Sequence, residues 1–488
     1  MHLSKAVARV AVIAAALSLS GCAATFGGYD VAPNGLPREE DALRRALAFE
    51  AARTYEEVLE GKRPLPDDDL LRLLYAGTAG YYAGTWAESA RLLDLASWVA
   101  EDRVTFSVSR QALSLVTSDR SLAYTPPRTE RLMIPYVAAM MYLKASDADG
   151  AAVEARRIEA LLDQLDEGKS REDMPEESRF LHYFAGTVFE AAGDWSAADV
   201  AYRRSGGLAE SPGMGVDLDP AGDSLGDVIV LVERGFVPHR VEQSVVIVLP
   251  PAQVAMLTEG SAGEKALAAA EAAARILLAA SHAYDDRGGV RGRRRGGSSL
   301  RLEPWVDESC GPRRRVCPEG EEEKGDPYLL RISWPVLFED EAARAPVRVR
   351  AGALSAEAGA LLDLAACTRR DFEAERPEML ARTVMRAAAK LALTASVEGS
   401  VKKKDAAAGE ILGVLTNVGT LLTERADTRA WHLLPGSISM VRLRLPAGTH
   451  ELTLDVESAR GEYGRGESLG TVSVRPGATT FVSARIWR

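Results

Sequence analysis

Residues 225–249, Leu-Gly-Asp-Val-Ile-Val-Leu-Val-Glu-Arg-Gly-Phe-Val-Pro-His-Arg-Val-Glu-Gln-Ser-Val-Val-Ile-Val-Leu, decide the fold. Residues 228–233 and 241–249 are β-branched runs, and residues 234–239 between them hold the Gly and Pro that punctuate strands. The stretch predicts a strand, a turn and a returning strand. Immediately upstream, residues 206–226 are rich in Gly, Pro and Asp and read as a linker. Farther upstream, from residue 39 to about 205, apolar residues recur every three and four positions among Ala, Leu, Glu and Arg, the pattern of amphipathic helices. The chain therefore reads as a multidomain α+β protein, all-helical over residues 39–212 and α+β over 213–488.

Downstream of the deciding stretch, residues 262–284 predict a long Ala-rich helix. The Gly/Arg-rich run 287–299 cannot bury apolar area and reads, with the residues to 320, as a mobile loop. Residues 328–338 and 346–353 predict another strand pair, and 357–395 two helices broken near Pro377. Residues 406–423 form the most apolar helix candidate of the body of the chain. Glu410 and Asn417 inside it favour a core or interface helix over one that dips into a membrane. The β-rich end, 426–488, has strand-like runs at 437–445, 449–456, 469–474 and 479–487, with turns at Pro446-Ala447-Gly448 and Pro476-Gly477. These predict a small antiparallel sheet, which with the earlier strands would build a sandwich or mixed sheet covered by helices.

Within the helical region, Gly186, Phe189, Gly193, Trp195, Ala198 and Tyr202 stand at offsets that resemble those of tetratricopeptide repeats, in which small residues let paired helices cross closely. Gly77, Gly84, Trp86, Ser89, Leu93 and Ala96 read as a second copy of that pattern, with Gly80 where an aromatic is expected. Residues 136–143 and 151–162 read as a third helix pair. The likeness implies either a concave groove for a peptide or protein partner or a packing scaffold.

At the start of the chain, Lys5 and Arg9 precede an apolar run, 10–19, that is too short for a bilayer whose hydrocarbon takes roughly 20 residues. Leu19-Ser20-Gly21-Cys22 closes that run and resembles the lipobox of a bacterial lipoprotein signal. The resemblance implies a signal peptide at 1–21, cleavage before Cys22, acylation of Cys22 with palmitate-like chains, and a tether at 22–38. Ala23 stands where an aspartate would resemble an inner-membrane retention signal, so the expected location is the outer membrane, on its periplasmic side. In that oxidising compartment Cys310 and Cys317 are close enough to close a ring as a disulfide, contributing about 2.5 kcal/mol by chain entropy. Cys367, in an apolar stretch, is expected to be a buried thiol.

Composition narrows the function. A net charge of -11 argues against a nucleic-acid partner, which a basic surface would have to hold. Six histidines, none paired at the helical spacing that holds zinc, give no metal site, and Gly263-Glu264-Lys265-Ala266 lacks the Gly-Lys-Ser/Thr of a phosphate loop. No cofactor is expected. Two constellations remain as partner-binding or structural clusters. Asp427-Thr428-Arg429 with Trp431 puts a carboxylate, a guanidinium and an indole within five residues, able to pair and stack or to form a buried bridge. Glu154, Arg156 and Arg157 would face the helical groove or bridge to one another.

Several strings together resemble an uncharacterised family of bacterial lipoproteins that join a tetratricopeptide-like helical domain to a C-terminal α+β domain. They are Glu130-Arg131 before a helix, Val153-Glu154-Ala155-Arg156-Arg157, the repeat at 185–202 and Arg234-Gly235-Phe236-Val237-Pro238. Ala381-Arg382-Thr383 leading to Arg386 and Lys390, residues 426–431 running to Leu434-Pro435, and Pro446-Ala447-Gly448-Thr449-His450 complete the set. The last of these, with Pro476-Gly477, is also similar to the small β modules called PEGA domains. The anchor and the repeats lead to the expectation of a non-enzymatic, lipid-anchored scaffold that docks an envelope protein, and the resemblance implies a setting in peptidoglycan or outer-membrane maintenance. A glycan-binding surface module and a peptidoglycan hydrolase are the alternatives, since a glycosidase needs only two carboxylates flanking a cleft.

Overall fold

The computed structural model describes residues 68–110, 123–170, 172–210, 224–249, 300–303, 328–338, 346–358, 361–402, 425–457 and 466–487. Cys22, Cys310, Cys317 and the stretches 262–284, 287–299 and 406–423 lie outside the described residues. The described chain is a mixture of α and β.

Among the described residues six helices come first: α1 (Asp69–Ala83), α2 (Trp86–Arg110), α3 (Arg128–Lys144), α4 (Ala148–Leu165), α5 (Glu176–Ala191) and α6 (Trp195–Arg204). Acidic caps start three of them. Asp68, Asp147 and Asp194 accept backbone N–H groups of α1, α4 and α6, satisfying donors that a first turn leaves open. Pro127 and Pro175 stand directly before α3 and α5, where a missing N–H costs nothing. Each helix packs on the next in sequence. The closeness of two pairs depends on glycine. A Cβ on Gly77 would lie 2.8 Å from Leu93 Cδ2, and one on Gly186 would lie 2.6 Å from Tyr202 Cε1. Both crossings join residues sixteen apart, so α1/α2 and α5/α6 share one local design.

The strands are β1 (Leu225–Arg234), β2 (His239–Leu249), β3 (Leu300–Glu303), β4 (Tyr328–Phe338), β5 (Val347–Ala351), β6 (Leu354–Ala358), β7 (Ser437–Pro446), β8 (Gly448–Val456), β9 (Glu467–Val474) and β10 (Thr479–Ile486). They form three sheets, ordered β10-β1-β7, β3-β2-β4 and β6-β5-β8-β9. A seventh helix, α7 (Leu364–Lys402), runs beside β4.

β1 is the centre of a three-layer stack. Ile229 and Leu231 point into the apolar cluster of α1, α3 and α5, whereas Val228, Val230 and Val232 point into a second cluster with Val347, Val349, Leu452 and Leu454. A strand buried on both faces must be apolar at every position, which is why its core reads Val-Ile-Val-Leu-Val. The order from outside is helices, the mixed sheet β10-β1-β7, and the antiparallel sheet β6-β5-β8-β9.

Four expectations are corrected. The run 234–239 turns the chain out of one sheet and into another: β1 and β2 belong to different sheets, and Gly235 N donates to Ile486 O (2.9 Å) while Val237 N donates to Leu434 O (3.1 Å). β4 pairs with β2, and β5 with β6 and β8, so 328–338 and 346–353 are not a pair. The C-terminal strands do not make a sheet of their own. β7 and β10 flank β1, antiparallel and parallel, whereas β8 and β9 join the outer sheet.

The fourth correction concerns proline. Pro377 lies inside the single helix α7, and Pro135 inside α3, which places Glu130 and Arg131 within that helix and not before it. A proline interrupts one hydrogen bond and disfavours the turn before it, a local cost of about 3 kcal/mol that packing on either side outweighs. α3 is buried from Leu132 to Met141, straight through Pro135.

Candidate functional site

The helical layer has two unlike faces. On α1, α3 and α5 nearly every residue is buried, because these helices are covered by α2, α4 and α6 on one side and by the rest of the chain on the other. The inner side carries polar residues, and each reaches across. Thr78 Oγ1 accepts the indole Nε1–H of Trp431 (3.0 Å), and Glu130 Oε1 accepts the backbone N–H of Trp431 (2.9 Å). Tyr75 donates its hydroxyl to Ala430 O (2.7 Å). Thr129 N donates to Asp371 at the start of α7 (2.7 Å), and Arg370 of α7 pairs with Glu177 of α5 (2.6 Å).

The most charged of these crossings is centred on Arg442 of β7. Its guanidinium donates to both oxygens of Glu190 on α5 (2.6 and 3.0 Å) and to Asp227 on β1 (2.8 Å). Tyr202 and Thr479 complete the shell of Glu190 by donating their hydroxyls to it. Arg442 and Glu190 are both buried, so this clasp ties α5, α6, β1, β7 and β10 in a low-dielectric place.

Glu130 is the most perturbed acid of the inner face. Burial pushes its carboxyl up to about 7, against the lowering effects of the Tyr124 hydroxyl, which donates to Oε2 (2.5 Å), the Trp431 N–H and the more distant Arg240 guanidinium. Burial likewise raises Glu154 on α4, where Arg157 partly offsets it and Asp94 adds to it.

The two sequence-derived constellations are separate in space and both are spent internally. Arg429 makes a forked pair with Asp427 (2.8 and 2.7 Å), and its third nitrogen approaches Asp68, the cap of α1 (3.6 Å). Its plane lies over the ring of Tyr124, at 5.8 Å from the centroid, and not over Trp431. The indole turns instead into α1, where Trp431 is fully buried. Glu154 is buried and pairs with Arg157 (2.9 Å), which also reaches Asp94 on α2 (3.2 Å); only Arg156 is exposed, paired with Asp194 (3.3 Å). Cys367 is a buried free thiol that donates to Glu177 (3.6 Å). Asp68, Tyr75, Thr78, Glu190 and Arg442 are not singled out by the sequence, and Glu130 only as part of the family resemblance. Their signal was a polar residue interrupting an apolar helix or strand.

The outer side, made by α2, α4 and α6, is different. Trp98 and Leu95 on α2 are 66% and 51% exposed, and Val153 on α4 and Val200 on α6 are exposed as well. Ion pairs cross-link these helices, from Asp94 to Arg157 and from Glu159 and Asp163 to Arg204. Among the described residues no group of three or more His, Cys, Asp or Glu is placed to hold a metal ion, and no helix is long and apolar enough to cross a membrane.

Compared with protein-family models, with curated proteins and with solved structures, the chain matches none.

Proposed function

We propose that the protein is a lipid-anchored periplasmic scaffold, tethered to the outer membrane through Cys22, that docks an envelope protein on the outer face of a tetratricopeptide-like helical layer. Its role would lie in peptidoglycan or outer-membrane maintenance. One observation carries the reading: the inner helical face is filled by the protein's own chain, while the outer face presents Trp98, Leu95, Val153 and Val200 to solvent. Exposed aromatic and aliphatic side chains on a rigid helical surface are the usual anchors of a protein interface. The matching glycine crossings of α1/α2 and α5/α6 support the repeat reading.

The test is photocrosslinking in intact cells from positions 98 and 153, in the native protein and in Cys22→Ala. A defined envelope protein captured from both positions, and lost without the anchor, is the expected result. Capture of peptidoglycan alone would replace the scaffold with a glycan-binding module. Release of muropeptides by the purified protein, abolished by changing one acidic residue, would replace it with a hydrolase.

A further inference from the structure

The stretch from Ala426 to Leu434 lies outside every helix and strand, yet it crosses the inner face of the helical layer. Main-chain bonds hold its last residue and the chain beyond, where Leu434 O accepts from Val237 N and Gly436 N donates to Arg234 O. Before that, side chains hold the main chain: Ala426 N donates to Glu242 of β2 (3.3 Å), Arg429 N to the segment's own Asp427 (3.1 Å), and the next four residues bond to the helices. Ala430 O accepts from the Tyr75 hydroxyl (2.7 Å), Trp431 N donates to Glu130 Oε1 (2.9 Å), His432 N donates to the Tyr75 oxygen (3.4 Å), and Leu433 O accepts from the Tyr82 hydroxyl (3.5 Å). Four successive residues are thus read at their peptide groups by α1 and α3. Two anchors add side-chain selection. Arg429, forked on Asp427 of its own segment, reaches Asp68 (3.6 Å) and lies over the Tyr124 ring, and Trp431 is fully buried with its indole N–H on Thr78.

That is how a groove recognises an extended peptide: polar groups on the groove wall take the main chain, and pockets take alternate side chains. We propose that the inner face of the helical layer is a peptide-binding groove whose resident ligand is residues 426–434, exchangeable for a partner's extended segment of the same chemistry. That chemistry is an arginine, then a small residue, then a tryptophan with its N–H available, followed after one residue by leucine. The spacing follows from the anchors, since Arg429 and Trp431 are two apart and the small Ala430 between them is buried. Its cellular meaning rests on the scaffold reading. Its physical content does not, because groove and ligand are both in this chain.

The experiment uses the mature full-length protein, unaltered and as Trp431→Phe, which keeps an aromatic side chain but is smaller and lacks the donor to Thr78, so that the resident segment is held less tightly. Native-state hydrogen exchange is followed by mass spectrometry, and a labelled synthetic peptide of residues 425–436 is titrated against both proteins. The amides of Trp431 and His432 are expected to exchange at least ~100-fold faster than those of β1, as a segment that opens without global unfolding. The peptide is expected to be retained saturably, more tightly by Trp431→Phe than by the unaltered protein, and not at all when its own tryptophan is replaced by alanine. Exchange no faster than that of β1, or failure of either protein to retain the peptide, overturns the proposal. Neither result bears on crosslinking from position 98, so the two readings fail separately.

Discussion

Helices α3 and α4 are neighbours of similar length that pack against each other, and they have opposite sequences. α3 reads Leu-Met-Ile-Pro-Tyr-Val-Ala-Ala-Met-Met through its middle and is buried all round, while α4 reads Glu-Ala-Arg-Arg-Ile-Glu-Ala-Leu-Leu-Asp and is buried along one stripe. The same holds for α1 against α2 and α5 against α6. In a layer of helical hairpins lying on a sheet, one helix of each hairpin faces protein on both sides and the other faces water. The difference teaches where polar residues carry information. On α2, α4 and α6 most of them belong to the solvated face, whereas on α1, α3 and α5 Tyr75, Thr78, Glu130, Glu177 and Glu190 mark crossings to other parts of the chain.

The clasp at Arg442 offers the harshest way to break that comparison. Arg442→Met leaves Glu190 and Asp227 buried without their cation and is expected to cost about 3–5 kcal/mol. Breaking the exposed bridge of the outer face with Arg156→Ala is expected to cost less than about 1 kcal/mol. Urea denaturation followed by far-ultraviolet circular dichroism and by tryptophan fluorescence measures both. Losses of equal size would mean that the inner face has no special place in stability. Because the clasp spans helices and sheet, the two probes should also report one transition in the unaltered protein.

Much of this was visible in the chain and some was not, for identifiable reasons. The strands of the C-terminal region, the close helix crossings at Gly77 and Gly186, and the pairing of Asp427 with Arg429 rest on local signals, and local signals are what a sequence displays. Strand partners are not local. The pattern of β7 says that it has a buried face but not that its neighbour is β1, two hundred residues earlier. A clue was nevertheless present in β1, whose unbroken apolar run is that of a central strand and not of one arm of an exposed hairpin. The inner-face residues Thr78 and Glu190 give no such signal, because an isolated polar residue in a helix usually points to solvent, and Glu130 stands out only through the resemblance. Here the helix had no solvent side.

Glu130 sharpens the comparison through pH. Its carboxyl is raised from 4.5 to about 7 in the folded protein, chiefly by burial, so between those values the native state keeps a proton that the unfolded chain has released. Unfolding free energy should therefore fall as pH rises from about 4.5 to about 7 and level off above, by on the order of 3 kcal/mol from this group. Glu130→Gln should flatten that slope while leaving the acceptor for Trp431 N in place. Denaturation midpoints taken across this pH range decide it. A slope unchanged by the substitution would show that the acid is not where the proton resides.

Gly186→Ala tests the close crossing between α5 and α6. The new methyl would lie 2.6 Å from a Tyr202 ring that is itself buried and fixed to Glu190, so the ring cannot turn aside and a cost of about 1–3 kcal/mol is expected despite alanine's better helix propensity. Gly168→Ala is a poor control, because φ there is +78° and alanine would be strained with nothing near it. Ala160→Gly on the outward side of α4 is the better one, expected to cost only the propensity difference of about 1 kcal/mol. A thermal melt in which Gly186→Ala loses no more than this control would mean that the helices separate easily, and the repeat-like design would lose its main support.

Trp98→Ser should change stability least of all and function most. The side chain is two-thirds exposed, so its removal takes little packing from the fold and is expected to stay within about 0.5 kcal/mol of the unaltered protein. An exposed indole is otherwise an expense for a soluble surface, and its natural use is to be covered by something else. If the outer face docks a partner, Trp98→Ser should abolish crosslinking from position 153 while the melting curve stays in place, the reverse of what Arg442→Met does. Should crosslinking survive at full yield, the outer face is simply the wet side of the helical layer, and the inner groove with its resident segment becomes the only surface of this layer on which recognition can be sought.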